Sequence, residues 1–300
     1  MTDLIPISSA DAIQNIAGQI GKRSRRIYEH DALAFATFLQ EKGIGLVEID
    51  YREIVAYRQH LQEHFKPATA KRMWSVMHRL LNEQVRAGHL KSNPADYIPG
   101  FRAEDESPHI ALDIEQARQL LSVIDTNTKK GKRDYALLSL LLRTGIRRFE
   151  CAALNIGDLD IERGHHVLTI EQGKGRKRRI AKIPVDVRRA IDEYLEATGR
   201  RGALEDVPLF VQFLKGDKPT QERISDKLIE RTVKGYAKVI EIEKLTPHGL
   251  RTSFVTLALE GGASLQEVQY AAGHKDPRTT ERYQRRKLNL DKNAVDFIHL

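Results

Sequence analysis

The stretch 165-HHVLTIEQGKGRKRRIAKIPV-185 is the one place in the chain where strand periodicity stands out clearly. Residues 165–172 alternate apolar and polar side chains, 173–179 form a basic turn with two glycines, and 180–185 return to an apolar pattern. Two short strands around a glycine turn predict a β-hairpin. Everything flanking it reads as helix. The expected fold is therefore mainly α, with one small β element.

Moving outward, helices are expected at 185–197 and 224–240, in HGLRTSFVTLALEGG (248–262), and in SLQEVQYAAGH (264–274). On the other side, RDYALLSLLLRTG (133–145) is an apolar helix ended by Gly145. DIEQARQLLSVI (113–124) is another, with Asp113 as its N-cap. Further back, KSNPADYIPGFRAEDESPH (91–109) holds three prolines, a glycine and a short acidic run, the composition of a boundary. The first hundred residues show only helical spacing: Ile27, Ala32, Phe35, Phe38 and Leu39; Ile54, Tyr57 and Leu61; then Ala70, Met73, Val76, Met77, Leu80, Leu81 and Val85. A bundle of about four helices over 1–105, a connection across 92–110, and a second domain over 106–300 follow.

The 300 residues carry 41% hydrophobic and 30% charged side chains and a net charge of +8. No apolar run approaches the ~18–20 residues of a membrane span. The N-terminus lacks a basic and hydrophobic leader pattern. The single Cys151 excludes an internal disulfide and fits a reducing cytosol. The charge is uneven: residues 1–106 carry 14 basic and 14 acidic side chains, and the remainder carries 35 against 27. Net charge thus points to a polyanionic partner for the second part only, and local clusters must argue for the first.

Taken one at a time, the polar motifs stay ambiguous. In TPHGLRTSF (246–254), His248 and Arg251 form an H-x-x-R, but 11 His and 29 Arg in 300 residues give roughly one by chance. GKGRKRR gathers Lys174, Arg176, Lys177, Arg178 and Arg179 either as a solvated turn or as a finger on a phosphate backbone. Arg23, Arg25 and Arg26 in GKRSRR, with Lys71 and Arg72, are further candidate phosphate contacts. Arg147 and Arg148 begin a helix, where the dipole prefers anions; an anion site explains them, and so does an i+3 pairing of Arg147 with Glu150. Tyr283 sits among Arg278, Arg282, Arg285 and Arg286, and could equally anchor a C-terminal helix.

Taken in order, TGIRRFE, GKG, TPHGLR, AGH and TTERY resemble the tyrosine recombinases, the phage-integrase and Xer-like family. That family's pattern is TG-x-R-x-x-E, a hairpin lysine, H-x-L-R, a GH, and a tyrosine nine residues after the GH histidine. Arg147, Lys174, His248, Arg251, His274 and Tyr283 match it, across residues 144–283. Phe149 stands where Ser is frequent, Thr252 where His or Ser is frequent, and Cys151 where an aliphatic residue is usual; none is among the six.

The resemblance implies a helical, SAM-like core-binding domain followed by an α+β catalytic domain. It implies a nucleophile, Tyr283, that forms a 3′-phosphotyrosyl link and frees a 5′-hydroxyl. Arg147 and Arg251 would grip the phosphate oxygens with paired N–H donors. His248 would be a base or phosphate donor, Lys174 the acid for the leaving oxygen, and His274 a further donor or a support for Tyr283. No cofactor or metal is expected: no Cys cluster, acidic pair or phosphate-binding glycine loop suggests one. The implied partners are duplex DNA with a specific core site and further copies of the chain in a tetramer on two sites. Accessory proteins are further candidates. The tail 287–300, with Leu288, Leu290, Val295, Phe297 and Ile298, would pack on a neighbouring copy, the alternative being that it folds back on its own domain. The implied location is cytoplasmic, at the nucleoid. A type IB topoisomerase-like enzyme and a non-cleaving accessory DNA-binding protein are the competing readings.

Overall fold

The computed structural model describes residues 22–46, 48–101, 110–172 and 177–274, with the backbone alone at 22–24, 172 and 177. Lys174, Arg176, Tyr283 and the tail 287–300 lie outside the described residues, as do the side chains of Arg23 and Lys177. The chain divides into two compact units, residues 1–105 and 106–300.

The first unit contains three described helices, α1 (Lys22–Glu41), α2 (Tyr51–His64) and α3 (Pro67–Arg86). Asp50 starts α2: its carboxylate accepts from the backbone N–H of Arg52, while Glu53 accepts from that of Asp50. Proline takes the first position of α3, where its missing N–H costs nothing. Phe35, Phe38, Tyr57, Met73, Met77, Leu80 and Leu81 fill the core, with the Phe35 and Tyr57 rings 4.6 Å apart. The expected stripe fails at Ile27, which is 48% exposed. Farther along α1 the inward place is taken by Asp31, whose buried carboxylate receives both arms of the Arg72 guanidinium at 2.7 and 3.0 Å.

In the second unit α4 (Ile114–Ser122) starts on the expected Asp113 cap, which Gln116 completes. Helix α5 (Lys129–Thr144) is buried around most of its circumference and forms the centre of the core. Next come the short α6 (Arg148–Ala153) and a three-stranded antiparallel sheet, β1 (Leu159–Glu162), β2 (His165–Gln172) and β3 (Lys177–Lys182). Helix α7 (Val185–Ala197) follows, then a two-stranded ribbon, β4 (Val211–Leu214) and β5 (Lys218–Arg223). Helices α8 (Asp226–Val239), α9 (Pro247–Glu260) and α10 (Leu265–Ala272) end the described part.

Two features depart from the expected single hairpin. The β2–β3 pair gains β1 through a two-residue turn, Arg163 and Gly164, both at positive φ. The β4–β5 ribbon escapes pattern reading because its strands are short, one carries Pro219, and its register is broken between Val211 and Phe213. The ribbon's turn has a structural task. Asp217 takes up a positive φ there. Its carboxylate accepts from the backbone N–H groups of Lys129 and Lys130, each at 2.7 Å. It thereby caps α5 from outside that helix's own sequence.

The end of α5 is fixed more tightly. Gly145 lies in the left-handed region at φ +60°, and a Cβ there would stand 2.4 Å from the Phe254 ring of α9. Gly199 has a similar φ of +67° with nothing within 4 Å. Gly199→Ala should therefore cost only the left-handed penalty, roughly 1 kcal/mol, and Gly145→Ala at least twice that, because the ring must also move. Urea unfolding of the two variants checks the difference, and equal losses would show that the Phe254 contact is soft.

Candidate active site

Five residues separate the end of α5 from the heart of α6, and they set up the site. After Gly145 turns the chain, Ile146 is buried and Arg147 occupies the N-cap of α6. A cation at that end opposes the helix dipole. The opposition is answered by Glu150, whose side chain is 2% exposed. Its Oε2 accepts from the Arg147 backbone N–H at 2.9 Å and its Oε1 from Arg147 Nη1 at 3.0 Å. Arg147 Nη2 donates to the carbonyl of Gly273 at 3.1 Å. The Arg147 side chain keeps 33% exposure.

Burial of Glu150 favours its neutral form. The Arg147 N–H and the charges of Arg179 and Arg147 outweigh that and hold the carboxyl below its ordinary range. Of the expected pair at the start of this helix, Arg147 thus makes the i+3 contact with Glu150 while also fronting the site. Arg148 turns to α8, where it pairs with Glu230.

Helix α9 supplies the next two groups. Thr246 caps it by accepting from Gly249 N–H at 3.1 Å, and Pro247 opens its first turn. His248 is exposed on that turn. One turn farther, Arg251 is buried at 2% exposure and its Nη1 donates to the carbonyl of Gly145. The two candidate phosphate-gripping arginines are thereby tied to one corner. Thr252, where the family pattern favours His or Ser, is buried and donates to the carbonyl of His248 at 3.0 Å.

His274 follows α10 just after Gly273, which ends the helix in the left-handed conformation. Its ring is buried, and burial is the first cause that pushes its pKa down to about 4. The charges of Arg251, Arg147, His248 and Arg179 add to the shift in that order. The imidazole is therefore neutral at neutral pH, with one nitrogen donating and one accepting. It also registers how closely the candidate residues converge: Arg147, His248, Arg251 and His274 share one electrostatic neighbourhood.

The remaining candidates are dispersed. Arg178 is exposed and pairs with Glu171 at 3.6 Å. Arg179, expected with the basic turn, instead points inward to Glu150. In the first unit Arg26 is exposed, Arg25 and Lys71 are half-buried, and Arg72 is committed to Asp31. Sequence reasoning read Glu150 only as a pairing partner and Arg179 only as a phosphate contact of the basic turn. The strand parity that sends Ala181 and Ile183 inward was the signal for Arg179. It also counted no His-x-x-x-His in the chain, which α2 corrects: His60 and His64 have that spacing, and their rings stack 4.5 Å apart. Among the described residues no group of three His, Cys, Asp or Glu side chains could hold a metal. Among them, too, no helix is long and apolar enough to cross a membrane.

The sequence profile of the phage integrase family matches residues 111–289, a span that contains all six candidate residues. The chain belongs to that family, the tyrosine recombinases, and is of the Xer type. It is 30% identical over 276 residues to the tyrosine recombinase XerC of Pelobacter propionicus, covering 91% of this chain and 87% of that protein. The fold is similar to that of the XerH site-specific recombinase bound to a palindromic difH substrate after cleavage. The TM-score there is 0.72 at 21% identity, over 93% of this chain and 81% of that one. It is likewise similar to a lambda integrase tetramer bound to a Holliday junction, with a TM-score of 0.71 at 18% identity, over 96% and 80%.

The depressed His274 has a consequence for this recombinase. Between its ordinary value of 6.5 and about 4, the unfolded chain binds a proton at this residue that the folded one refuses. Stability therefore falls as pH drops through that window and levels off below it. His274→Gln removes the term, so its urea midpoint should fall less than that of the parent between about pH 7 and about pH 5. Parallel falls would show that His274 titrates normally.

Proposed function

We propose that this recombinase cuts and rejoins duplex DNA at a specific core site through Tyr283, with Arg147 and Arg251 holding the scissile phosphate. The observation that carries the assignment is the convergence of Arg147, His248 and Arg251 on a buried, neutral His274, nine residues before Tyr283. In attack, the phosphodiester becomes five-coordinate and gains negative charge on its non-bridging oxygens. Two guanidiniums meet that charge with paired donors aimed in advance. A phenol keeps its proton at neutral pH, near pKa ~10, so it needs an acceptor or the pull of a nearby positive field. His248, exposed on the first turn of α9, is placed to act as base or phosphate donor.

Tyr283 Oη forms the P–O bond as the bond to the 5′ oxygen breaks, and Lys174 delivers the proton that leaves a 5′-hydroxyl. The 3′-phosphotyrosyl ester conserves the energy of the broken bond. Attack by a 5′-hydroxyl of another strand reverses the step, so the chemistry calls for neither ATP nor a metal.

The first unit, residues 1–105, serves as the core-binding domain and the second as the catalytic domain. Helix α3 supports the first assignment: its N-terminus carries Lys66 and, one turn on, Lys71, with no side-chain cap and no acid in its first turn, an arrangement suited to phosphates. Exchange takes place in a tetramer on two sites, with the tail 287–300 reaching a neighbouring copy. The likeness to a lambda integrase tetramer on a Holliday junction is in keeping with this. The protein works in the cytoplasm, at the nucleoid.

The test is a nicked suicide duplex carrying the cognate site, resolved on denaturing gels. The parent protein should form a covalent adduct that Tyr283→Phe does not. Arg251→Lys should bind the site normally but cleave on the order of 100-fold more slowly, since a lysine cannot present the planar fork. An adduct that persists in Tyr283→Phe removes Tyr283 as nucleophile, and normal cleavage by Arg251→Lys removes the role given to Arg251.

A further inference from the structure

Strand β3 alternates. Ala181 and the following Ile183 are buried while Arg178, Ile180 and Lys182 are exposed, and the same parity carries Arg179 inward, to 10% side-chain exposure. There Arg179 Nη2 donates to Glu150 Oε2 at 3.0 Å, and Nη1 donates to the carbonyl of Ala271 in the last turn of α10, also at 3.0 Å. Nε is buried with no hydrogen-bond partner among the described residues. Gly273 leaves room for this group: a Cβ there would stand 2.7 Å from Arg179 Nε. Glu150 is meanwhile the acceptor for both the backbone and the guanidinium of Arg147.

We propose that Arg179 is a positioning residue for strand cleavage, acting through Glu150 to set the direction of the Arg147 guanidinium. The inference rests on the reading of Arg147 as a phosphate-gripping arginine. Its logic is competition for one carboxylate. With Arg179 occupying Oε2, Glu150 holds Arg147 by a single side-chain bond, the Gly273 carbonyl takes a second from Nη2, and the remaining N–H groups of that guanidinium are left for an incoming phosphate. Without Arg179, the buried carboxylate has only Arg147 to satisfy it. It then draws the whole fork onto itself and away from the substrate. A lysine cannot substitute, because the task needs two donors at fixed divergence, one for Glu150 and one for the Ala271 carbonyl. Displacing a phosphate-holding group by about 1 Å is enough to slow a reaction ~100-fold.

The experiment uses the full-length protein on its nicked suicide duplex, with single-turnover cleavage and site affinity measured separately. The variants are Arg179→Met, Arg179→Lys, Glu150→Gln and the double variant Glu150→Gln/Arg179→Met. Both Arg179 variants should bind the site as the parent does and cleave it on the order of 100-fold more slowly. The double variant should be no slower than Glu150→Gln alone, because the carboxylate through which Arg179 acts is already neutral. A purely structural role would instead weaken affinity and cleavage together. Parental cleavage by Arg179→Lys, or a double variant as slow as the product of the two single effects, overturns the proposal. If Arg179→Met fails to fold, Arg179→Lys carries the test. A parent protein that forms no adduct overturns the phosphate reading of Arg147 and this inference with it. A parent that cleaves beside an equally active Arg179→Lys overturns this inference alone.

Discussion

The Glu150 carboxylate is where the hairpin, the start of α6 and the end of α10 are made to agree. Alone at that depth, a charged carboxylate would cost several kcal/mol. Three N–H donors from Arg147 and Arg179 surround it, and both arginines go on to bind carbonyls at the end of α10, Gly273 and Ala271. A buried triad of this kind is a poor device for stability alone, since well-packed apolar side chains do as well. What it provides is direction. The three groups can be satisfied together only when β3, α6 and α10 stand in one arrangement, and that arrangement aims Arg147. The triad also leaves a surplus: one carboxylate against two guanidiniums, beside a third at Arg251.

The rest of the second unit holds that corner still. Helix α6 is only six residues long and would not persist alone. Its far end is capped by Arg223 of β5, which donates to the carbonyls of Ala152 and Leu154 at 3.1 and 2.7 Å. Arg148 ties its side to Glu230 of α8. Helix α5, which delivers Gly145, is capped at its start by Asp217 and met at its end by Arg251. The small β4–β5 ribbon therefore matters less for its own pairing than for carrying Asp217 and Arg223 to the two helices that bracket the site.

Much of this was legible in the sequence, for identifiable reasons. The helices announced themselves through apolar stripes, the Asp113 cap and the terminal Gly145. The order and spacing of Arg147, His248, Arg251, His274 and Tyr283 identified the family even though no single motif could. Strand β1 stayed hidden because it is four residues long, mostly exposed, and turns through Arg163–Gly164 in place of a familiar Asn–Gly. Arg179 was read with the basic turn as a phosphate contact because the expected second strand began at 180. With the strand starting at Lys177, the parity of Ala181 and Ile183 turns Arg179 into the core. The fork from Arg72 to Asp31 was invisible for a different reason: the partners lie 41 positions apart on separate helices, and a basic residue near a helix start reads equally well as a phosphate contact.

Burial first, and then the surplus of positive charge, give His274 its character. A protonated imidazole in that place would add one more cation to a cluster that a single carboxylate only partly offsets, so the ring stays neutral. Neutrality lets it donate from one nitrogen and accept at the other, which a protonated ring cannot do. The charges that depress it, Arg251 first and then Arg147, are the same ones assigned to the phosphate. An anion seated between those guanidiniums would cancel part of their field at the ring and move His274 back towards its ordinary value, and charge building on the phosphate during attack would move it further. Part of the depression of His274 and the appetite of the arginines for an anion thus share one electrostatic origin, added to the effect of burial. In this reading the substrate's negative charge is what balances that positive surplus.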